Sequence, residues 1–363
     1  KIPESLSGGV VVITGDDGGL PEILVEKLME RNIAARFVPI GRFLEGDGDF
    51  GASGLVIVSN GNVDDDFLLN AFLAAKAFSK NRRAFENGAG SFFATVSFLD
   101  GKFGFGGESI ENPEQGGLAG LVKTASIEWP DVKCRALDLD PRMEDPSAMA
   151  NLIVDELSGG FADDHVEIGL GEDFRVAPSL ISTAGYEGAL ELGSEDVAVV
   201  SGGARGVTAR AVLALAKETS SKFVLLGRSP VPGPEPSWLE GACDEKTMKK
   251  AIIENAFESE KPSPANVEKI YRRYAAAREI LDNLGKIEKE GSIVRYVQAD
   301  VCDGEAVDRI FDEVRSELGP IRAVVHGAGA LQDRLIEDKT VEQFRKVYDA
   351  KVKGLKNLLK AAG

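Results

Sequence analysis

An α/β protein with two doubly wound parallel sheets in tandem is the fold class the sequence predicts, and three observations predict it. Strand-length apolar runs alternate with stretches of helical apolar spacing along the 363 residues, the pattern of a parallel sheet covered on both faces. A strand leading into a glycine-rich turn occurs twice, at Val10 to Leu20 and at Val197 to Thr208. Each is followed by a second apolar run ending in Gly-Arg, so that Gly15 to Arg42 spans 27 residues and Gly202 to Arg228 spans 26. Self-similarity at one spacing marks an internal duplication. The expected boundaries are 1–188 for the first copy and 189–363 for the second.

In the first copy, the opening strand at Val10 is followed by Phe37-Val-Pro-Ile-Gly-Arg42, which mirrors Phe223-Val-Leu-Leu-Gly-Arg228 almost step for step. Only 12 positions then separate Arg42 from the strand that starts at Gly54, too few for the helix and strand of an adenine pocket. The alternation continues with a helix from Phe67 to Ser79, a buried strand from Ser91 to Ser97 and a helix from Gly117 to Glu128. A strand from Val132 to Asp138 and a helix from Ala148 to Leu157 follow. Two short strands, Val166 to Leu170 and Phe174 to Ala177, flank a Gly-Glu-Asp turn and predict an edge hairpin. Asp16 and Asp17 stand where a pyrophosphate would lie, and carboxylates beside phosphates are strongly unfavourable without a cation. The first copy is therefore expected to be structural and cofactor-free. Lys123, on a helix with no tyrosine near it, reads as a surface lysine.

The second copy keeps its turn clear of acids. Gly202, Gly203 and Gly206 let the backbone turn tightly and approach a pyrophosphate at the N-terminus of a helix that begins near Val207. The strand, turn and helix context makes this a Rossmann-like dinucleotide site rather than a chance glycine cluster. An acid at the end of the second strand would chelate a ribose diol and favour NAD. Here Arg228, followed by Ser229, can pair with a 2′-phosphate as a planar fork, and Arg205 points to the same preference. NADPH is the cofactor these residues imply. Ser292 to Asp303 reads as the third strand, with Asp300 and Val301 flanking the adenine, and Glu305 to Leu318 as an amphipathic helix. The fourth strand, from Ile321, opens into a loop where His326, Gly327, Ala328 and Gly329 pass close under a nicotinamide ribose. Between Arg228 and the third strand lies an insertion at about 230–291, proline-rich at first and helical from Glu245 to Glu290, longer than an ordinary connection. Trp238 within it is expected to anchor packing.

Composition narrows the function classes. With 43% hydrophobic residues and no apolar run near the ~20 residues that span a bilayer, the chain reads as globular, with no membrane partner. Lys1-Ile-Pro-Glu4 has no signal-peptide pattern, so a cytoplasmic location is expected. A net charge of −17 disfavours nucleic acid and anionic lipid as partners. It also repels an acidic carrier protein, so a carrier-bound substrate requires tethering or a local basic patch. Lys246, Lys249, Lys250, Lys261, Lys269, Arg272 and Arg273 form the candidate patch, and the wet faces of two helices are the plainer reading of them. Cys134, Cys243 and Cys302, without CxxC spacing or nearby histidine, argue against a disulfide framework and a metal site and read as small buried hydrophobes.

With these pieces placed, the chain resembles the ketoreductase region of modular polyketide synthases, chiefly the type found in polyunsaturated fatty acid synthases, within the short-chain dehydrogenase/reductase superfamily. The resemblance is carried by Ser201 to Thr208, Leu225 to Ser229, Arg278-Glu-Ile-Leu281, Ala299 to Cys302, His326 to Leu331 with Asp333-Arg334, and Tyr348 to Leu358. It implies NADPH-dependent reduction of a 3-oxoacyl group on acyl carrier protein to a 3-hydroxyacyl group, beside other domains of one synthase. It implies further that Lys351, in the Lys-Val-x-Gly-Leu pattern, is catalytic, holding the cofactor ribose and keeping a tyrosine acidic. That family's serine and tyrosine fall some tens of residues beyond Lys351, past Gly363, and Tyr348 cannot replace them from the same helix. On this resemblance the Rossmann-like subdomains are a degenerate first and a second incomplete at its C-terminus, and the chain alone is expected to be inactive. Two rivals remain: a non-catalytic scaffold module of a megasynthase, and a sugar-nucleotide epimerase or dehydratase. The second would need a functional turn where Asp16 and Asp17 stand.

Overall fold

The computed structural model describes residues 9–15, 19–46, 52–61, 65–82, 91–107, 109–158, 163–183, 191–257 and 262–363. The predicted acidic turn at Asp16 and Asp17 lies outside the described residues, as does Lys261. The chain divides into two compact units, Lys1–Ala184 with Asp333–Val341, and Gly185–Gln332 with Glu342–Gly363.

The first unit holds a seven-stranded sheet made of β1 (Val10–Gly15), β2 (Ala35–Pro39), β3 (Ala52–Val58), β4 (Ser91–Ser97), β5 (Val132–Leu139), β6 (Glu167–Gly171) and β7 (Phe174–Val176). Its order is β2-β1-β3-β4-β5-β6-β7, parallel except for the antiparallel β6–β7 hairpin. Alternate residues of β4 serve opposite faces. Phe92, Ala94 and Val96 join a core with Leu24 and Leu28 of α1 (Leu20–Glu30) and Ile153 of α5 (Pro146–Ser158). Phe93 faces the other way, toward Phe78 of α3 (Asp65–Arg82) and Trp129 at the end of α4 (Gly116–Glu128), with ring centroids 6.4 and 5.6 Å from its own. The segment at Asp333 to Val341 joins this unit: the Ile336 N–H donates to Glu128 (2.7 Å) and Lys76 donates to the Lys339 carbonyl (2.6 Å). Lys123 is an exposed partner of Glu167 at 2.9 Å.

β2 is the edge of this sheet among the described residues, whereas in the second unit β10 lies outside the corresponding strand β9; that missing adenine-side strand accords with the short Arg42 to Gly54 interval. The mirrored Gly-Arg motif fares differently. β2 stops at Pro39, Ile40 starts α2 (Ile40–Glu45), and Arg42 lies within that helix. Proline has no N–H to continue the strand ladder, so the likeness to Phe223–Arg228 holds in conformation through Pro39, where both segments pair as parallel strands, and only in letters at Gly41-Arg42.

The second unit holds β8 (Val197–Ser201), β9 (Lys222–Gly227), β10 (Val294–Gln298) and β11 (Ile321–His326), all parallel, in the order β10-β9-β8-β11. In chain order that is 3-2-1-4, the order of half a dinucleotide fold. Val212 and Ala216 of α6 (Gly206–Thr219) and Ile280 and Ile287 of α8 (Pro264–Lys289) pack in one core with β8 and β9. Val307, Phe311 and Val314 of α9 (Gly304–Glu317) and Leu358 of α11 (Gly354–Ala362) pack in the other. The predicted third strand is shorter than its apolar run, ending at Gln298.

Much of the insertion turns out to be regular. α8 is the crossover helix that any parallel β9–β10 connection needs. The excess is the proline-rich stretch and α7 (Glu245–Asn255), with a small core of Leu239, Met248, Ile252 and Val267. Asp244 and Thr247 form a capping box at the start of α7, and Ser263 caps α8 just before Pro264. Arg278 clamps Glu235 through two bonds of 2.7 Å, fastening the proline-rich stretch to α8. Trp238 meets Tyr274 edge-on at 5.8 Å. The basic patch is largely neutralised within its own helices, Lys249 by Glu245 and Glu268 and Arg272 by Glu268, as solvated helix faces are. The cysteines depart from expectation: Cys134 is buried, but Cys243 is exposed in the turn before α7 and Cys302 is half-buried after β10.

Candidate dinucleotide site

The site begins where β8 ends. Gly202 has φ of +70°, and a Cβ there would stand 2.9 Å from the Ala328 nitrogen and the Gly327 carbonyl carbon. Both the conformation and the close approach of the loop after β11 demand glycine. The turn is braced by the Gly202 N–H on the Leu226 carbonyl (2.7 Å) and the Gly327 N–H on the Ser201 carbonyl (2.9 Å). These bonds draw the ends of β8, β9 and β11 together around a cleft of about 540 Å³.

Of the predicted residues, Gly202, Arg205, Arg228, Ser229, Asp300, Val301, Gly327, Ala328 and Gly329 line this cleft. Gly203 is buried behind the turn, where a Cβ would strike Val200 at 2.6 Å. Gly206 and Val207 form the exposed start of α6, Val207 being 83% exposed. Arg228 makes no ion pair or side-chain hydrogen bond among the described residues. Beneath it, Tyr296 donates to the Ser229 carbonyl (2.8 Å), and burial pushes its phenol pKa up.

His326 lies behind the lining. Its Nδ1 is 2.8 Å from Ser201 Oγ and its Nε2 is 3.0 Å from the Lys351 carbonyl. Burial pulls the imidazole pKa down, so the ring is neutral at pH 7. Nε2 must carry the proton, since it faces an acceptor. Nδ1 then accepts from the Ser201 hydroxyl, whose oxygen accepts the Ala328 N–H (3.2 Å). One chain of bonds thus joins β8, the loop after β11 and the helix that bears Lys351. That helix runs from α10 (Val341–Tyr348) through a π turn (Asp349–Lys353) into α11. Such single π turns are frequent at functional positions. A Cβ on Gly329 would lie 2.9 Å from Lys351 Cε and 3.2 Å from Nζ, so the end of the lysine side chain rests against this glycine and would have to move aside for a larger residue.

Sequence reasoning missed part of the lining. Lys346, Asp349 and Ala350 line the cleft within a turn and a half before Lys351, a position readable from helical spacing once Lys351 is placed. Ile280 comes from α8 with no local signal. Cys302 also lines the cleft, its thiol pushed up to about 11 by burial and by Asp300.

A guanidinium with no side-chain partner among the described residues, an exposed helix N-terminus and a glycine-lined floor fit a dinucleotide's phosphates and ribose. The fold and the cleft together define a Rossmann-like unit with a cleft at its strand ends. Residues 197–363 match the family described as KR domain, and with the relatives below this supports a ketoreductase (KR) domain of a polyketide or polyunsaturated fatty acid synthase. It is 35% identical over 283 residues to a polyunsaturated fatty acid synthase polypeptide of a Thraustochytrium species, covering 74% of this chain and 10% of that protein. With polyketide synthase PksL of Bacillus subtilis it shares 24% over 243 residues, 67% of this chain and 4% of the relative. The chain therefore spans a tenth or less of the length of these relatives. Among solved structures, an N-terminal ketoreductase from the macrolactin assembly line superposes with a TM-score of 0.67 at 17% identity, over 100% of this chain and 70% of that one. The first ketoreductase of the tylosin PKS gives 0.64 at 17%, over 98% and 67%. At such identities the likeness shows the fold.

Proposed function

We propose that the second unit binds NADPH and serves, within a larger synthase, the reduction of a 3-oxoacyl group on acyl carrier protein to the 3-hydroxyacyl group. The observation that carries this reading is Arg228, a charged fork with no side-chain partner among the described residues, lining the glycine-turn cleft. When bound, NADPH supplies the hydride for the keto carbon. Arg228 and Ser229 hold the 2′-phosphate, and Arg205 with the α6 N-terminus at Gly206 and Val207 takes the pyrophosphate. Gly202 and Gly203 keep side chains out of its path. Asp300 and Val301 flank the adenine. Gly327, Ala328 and Gly329 run beneath the ribose, and His326 fixes their loop. Lys351 presents its ammonium beside Gly329, where it binds ribose hydroxyls and favours the ionised form of the acid that protonates the ketone oxygen.

No described helix is long and apolar enough to cross a membrane. An acidic carrier is repelled by this acidic chain in free solution, and tethering within one synthase offsets that through effective concentration. The first unit is assigned a structural part without cofactor. A non-catalytic scaffold module would have no use for such an Arg228 in an open cleft, and the ketoreductase match favours this reading over the nucleotide-sugar one.

The test is a fluorescence titration of the chain with NADPH and with NADH. Saturable NADPH binding is expected, with Arg228→Ala weakening it about tenfold to a hundredfold, as for loss of a hydrogen-bonded charge, and leaving NADH nearly unchanged. Absence of saturable NADPH binding defeats the assignment in favour of the scaffold module.

A further inference from the structure

The crossover helix α8 contributes more than a wall. Glu279 on this helix spends one carboxylate on two donors of the phosphate turn: Oε2 accepts from Arg205 Nε at 2.8 Å and Oε1 from the Gly206 N–H at 2.9 Å. These are the two kinds of donor, a guanidinium and a helix N-terminal amide, that dinucleotide phosphates take at such a turn. The contact is built in by the helix. Asn283, one turn further along the same face, donates to the Ala204 carbonyl at 3.0 Å, and Ile280 lines the cleft between them. Burial pushes the Glu279 carboxyl up, but the bonds from Arg205 and Gly206 outweigh it and hold it below the usual carboxylate range, so it is ionised at neutral pH.

Resting on the NADPH reading above, we infer that Glu279 is a specificity-determining residue, an internal carboxylate that competes with the dinucleotide's phosphates for Arg205 and the Gly206 N–H. A phosphate arriving at the turn either takes these donors from Glu279 or sits beside a like charge, and both lower its affinity. The deficit is larger for NADPH than for NADH, because the 2′-phosphate adds nearly two negative charges. Arg228, which has no such counter-ion among the described residues, supplies the attraction, while Glu279 tempers it and eases release of the spent dinucleotide.

The experiment measures dissociation constants of NADPH and NADH for the 363-residue chain and for Glu279→Gln, Arg205→Ala and the double variant, with a thermal melt confirming that each is folded. Glu279→Gln is expected to tighten NADPH about fivefold, the size suited to a half-exposed ion pair, and to tighten NADH less. The gain should vanish when Arg205 is absent, as a double-mutant cycle reads directly. Glu279→Ala carries the same test with the side chain removed. If the neutral variants fold and bind NADPH equally or more weakly than the parent, Glu279 orients Arg205 instead of competing with phosphate, and the inference is overturned. Failure of the parent chain to bind NADPH is a separate result, which strikes the cofactor assignment itself.

Discussion

Arg205 and Arg228 carry the same charge to the same cleft and differ in what holds them, one paired with Glu279 at 2.8 Å and the other without a side-chain partner among the described residues. Both arginines were legible in the sequence, since their spacing from the glycine turn is local. Glu279 was not, because it reaches Arg205 across 74 residues of chain and no periodicity announces such a contact. Cys302 shows the same limit. Its letter suggests a buried hydrophobe, whereas it is half-buried at the cleft, and burial first, then Asp300, pushes the thiol from 9.0 up to about 11. The raised value means the folded protein keeps a proton that the unfolded chain releases. Its contribution to stability is therefore complete below pH 9 and lost as pH climbs toward 11. At pH 8 a thiol-directed reagent should label exposed Cys243 well before Cys302. Equal rates, read by peptide mass mapping, would contradict the placement of Cys302.

At the scale of elements, the alternation of strands and helices was readable throughout, because buried parallel strands and amphipathic helices leave different periods in the sequence. Two elements differ from their sequence pattern for physical reasons. The Gly-Arg repeat suggests a strand end at Arg42, but the strand stops at Pro39 and a helix starts at Ile40. The insertion looks foreign by its length, yet its second helix is the crossover that joins β9 to β10. The turn from β8 into α6 carries the sharpest expectation of this kind. Replacing Gly202 by alanine forces a side chain into a positive-φ position 2.9 Å from the Ala328 nitrogen. It should cost about 2 kcal/mol of stability in a urea titration and abolish NADPH binding by parting the loops. A variant that melts and binds as the parent does would show that the turn is not so constrained.

For the whole molecule, one strand-and-glycine-turn pattern occurs twice in the sequence with different outcomes in the fold. The first unit lacks the interval that would hold an adenine-side strand and forms a seven-stranded sheet, while the second has the 3-2-1-4 order with its cleft at the strand ends. That asymmetry was legible from two features, the 12 residues after Arg42 and the clear glycine turn at Gly202. The central claim is that the dinucleotide belongs to the second unit alone. Amide hydrogen exchange with and without NADPH tests it most directly. Slowed exchange is predicted across residues 202–208 and 226–229, with no change across residues 10–24, whereas protection confined to 10–24 would contradict the account.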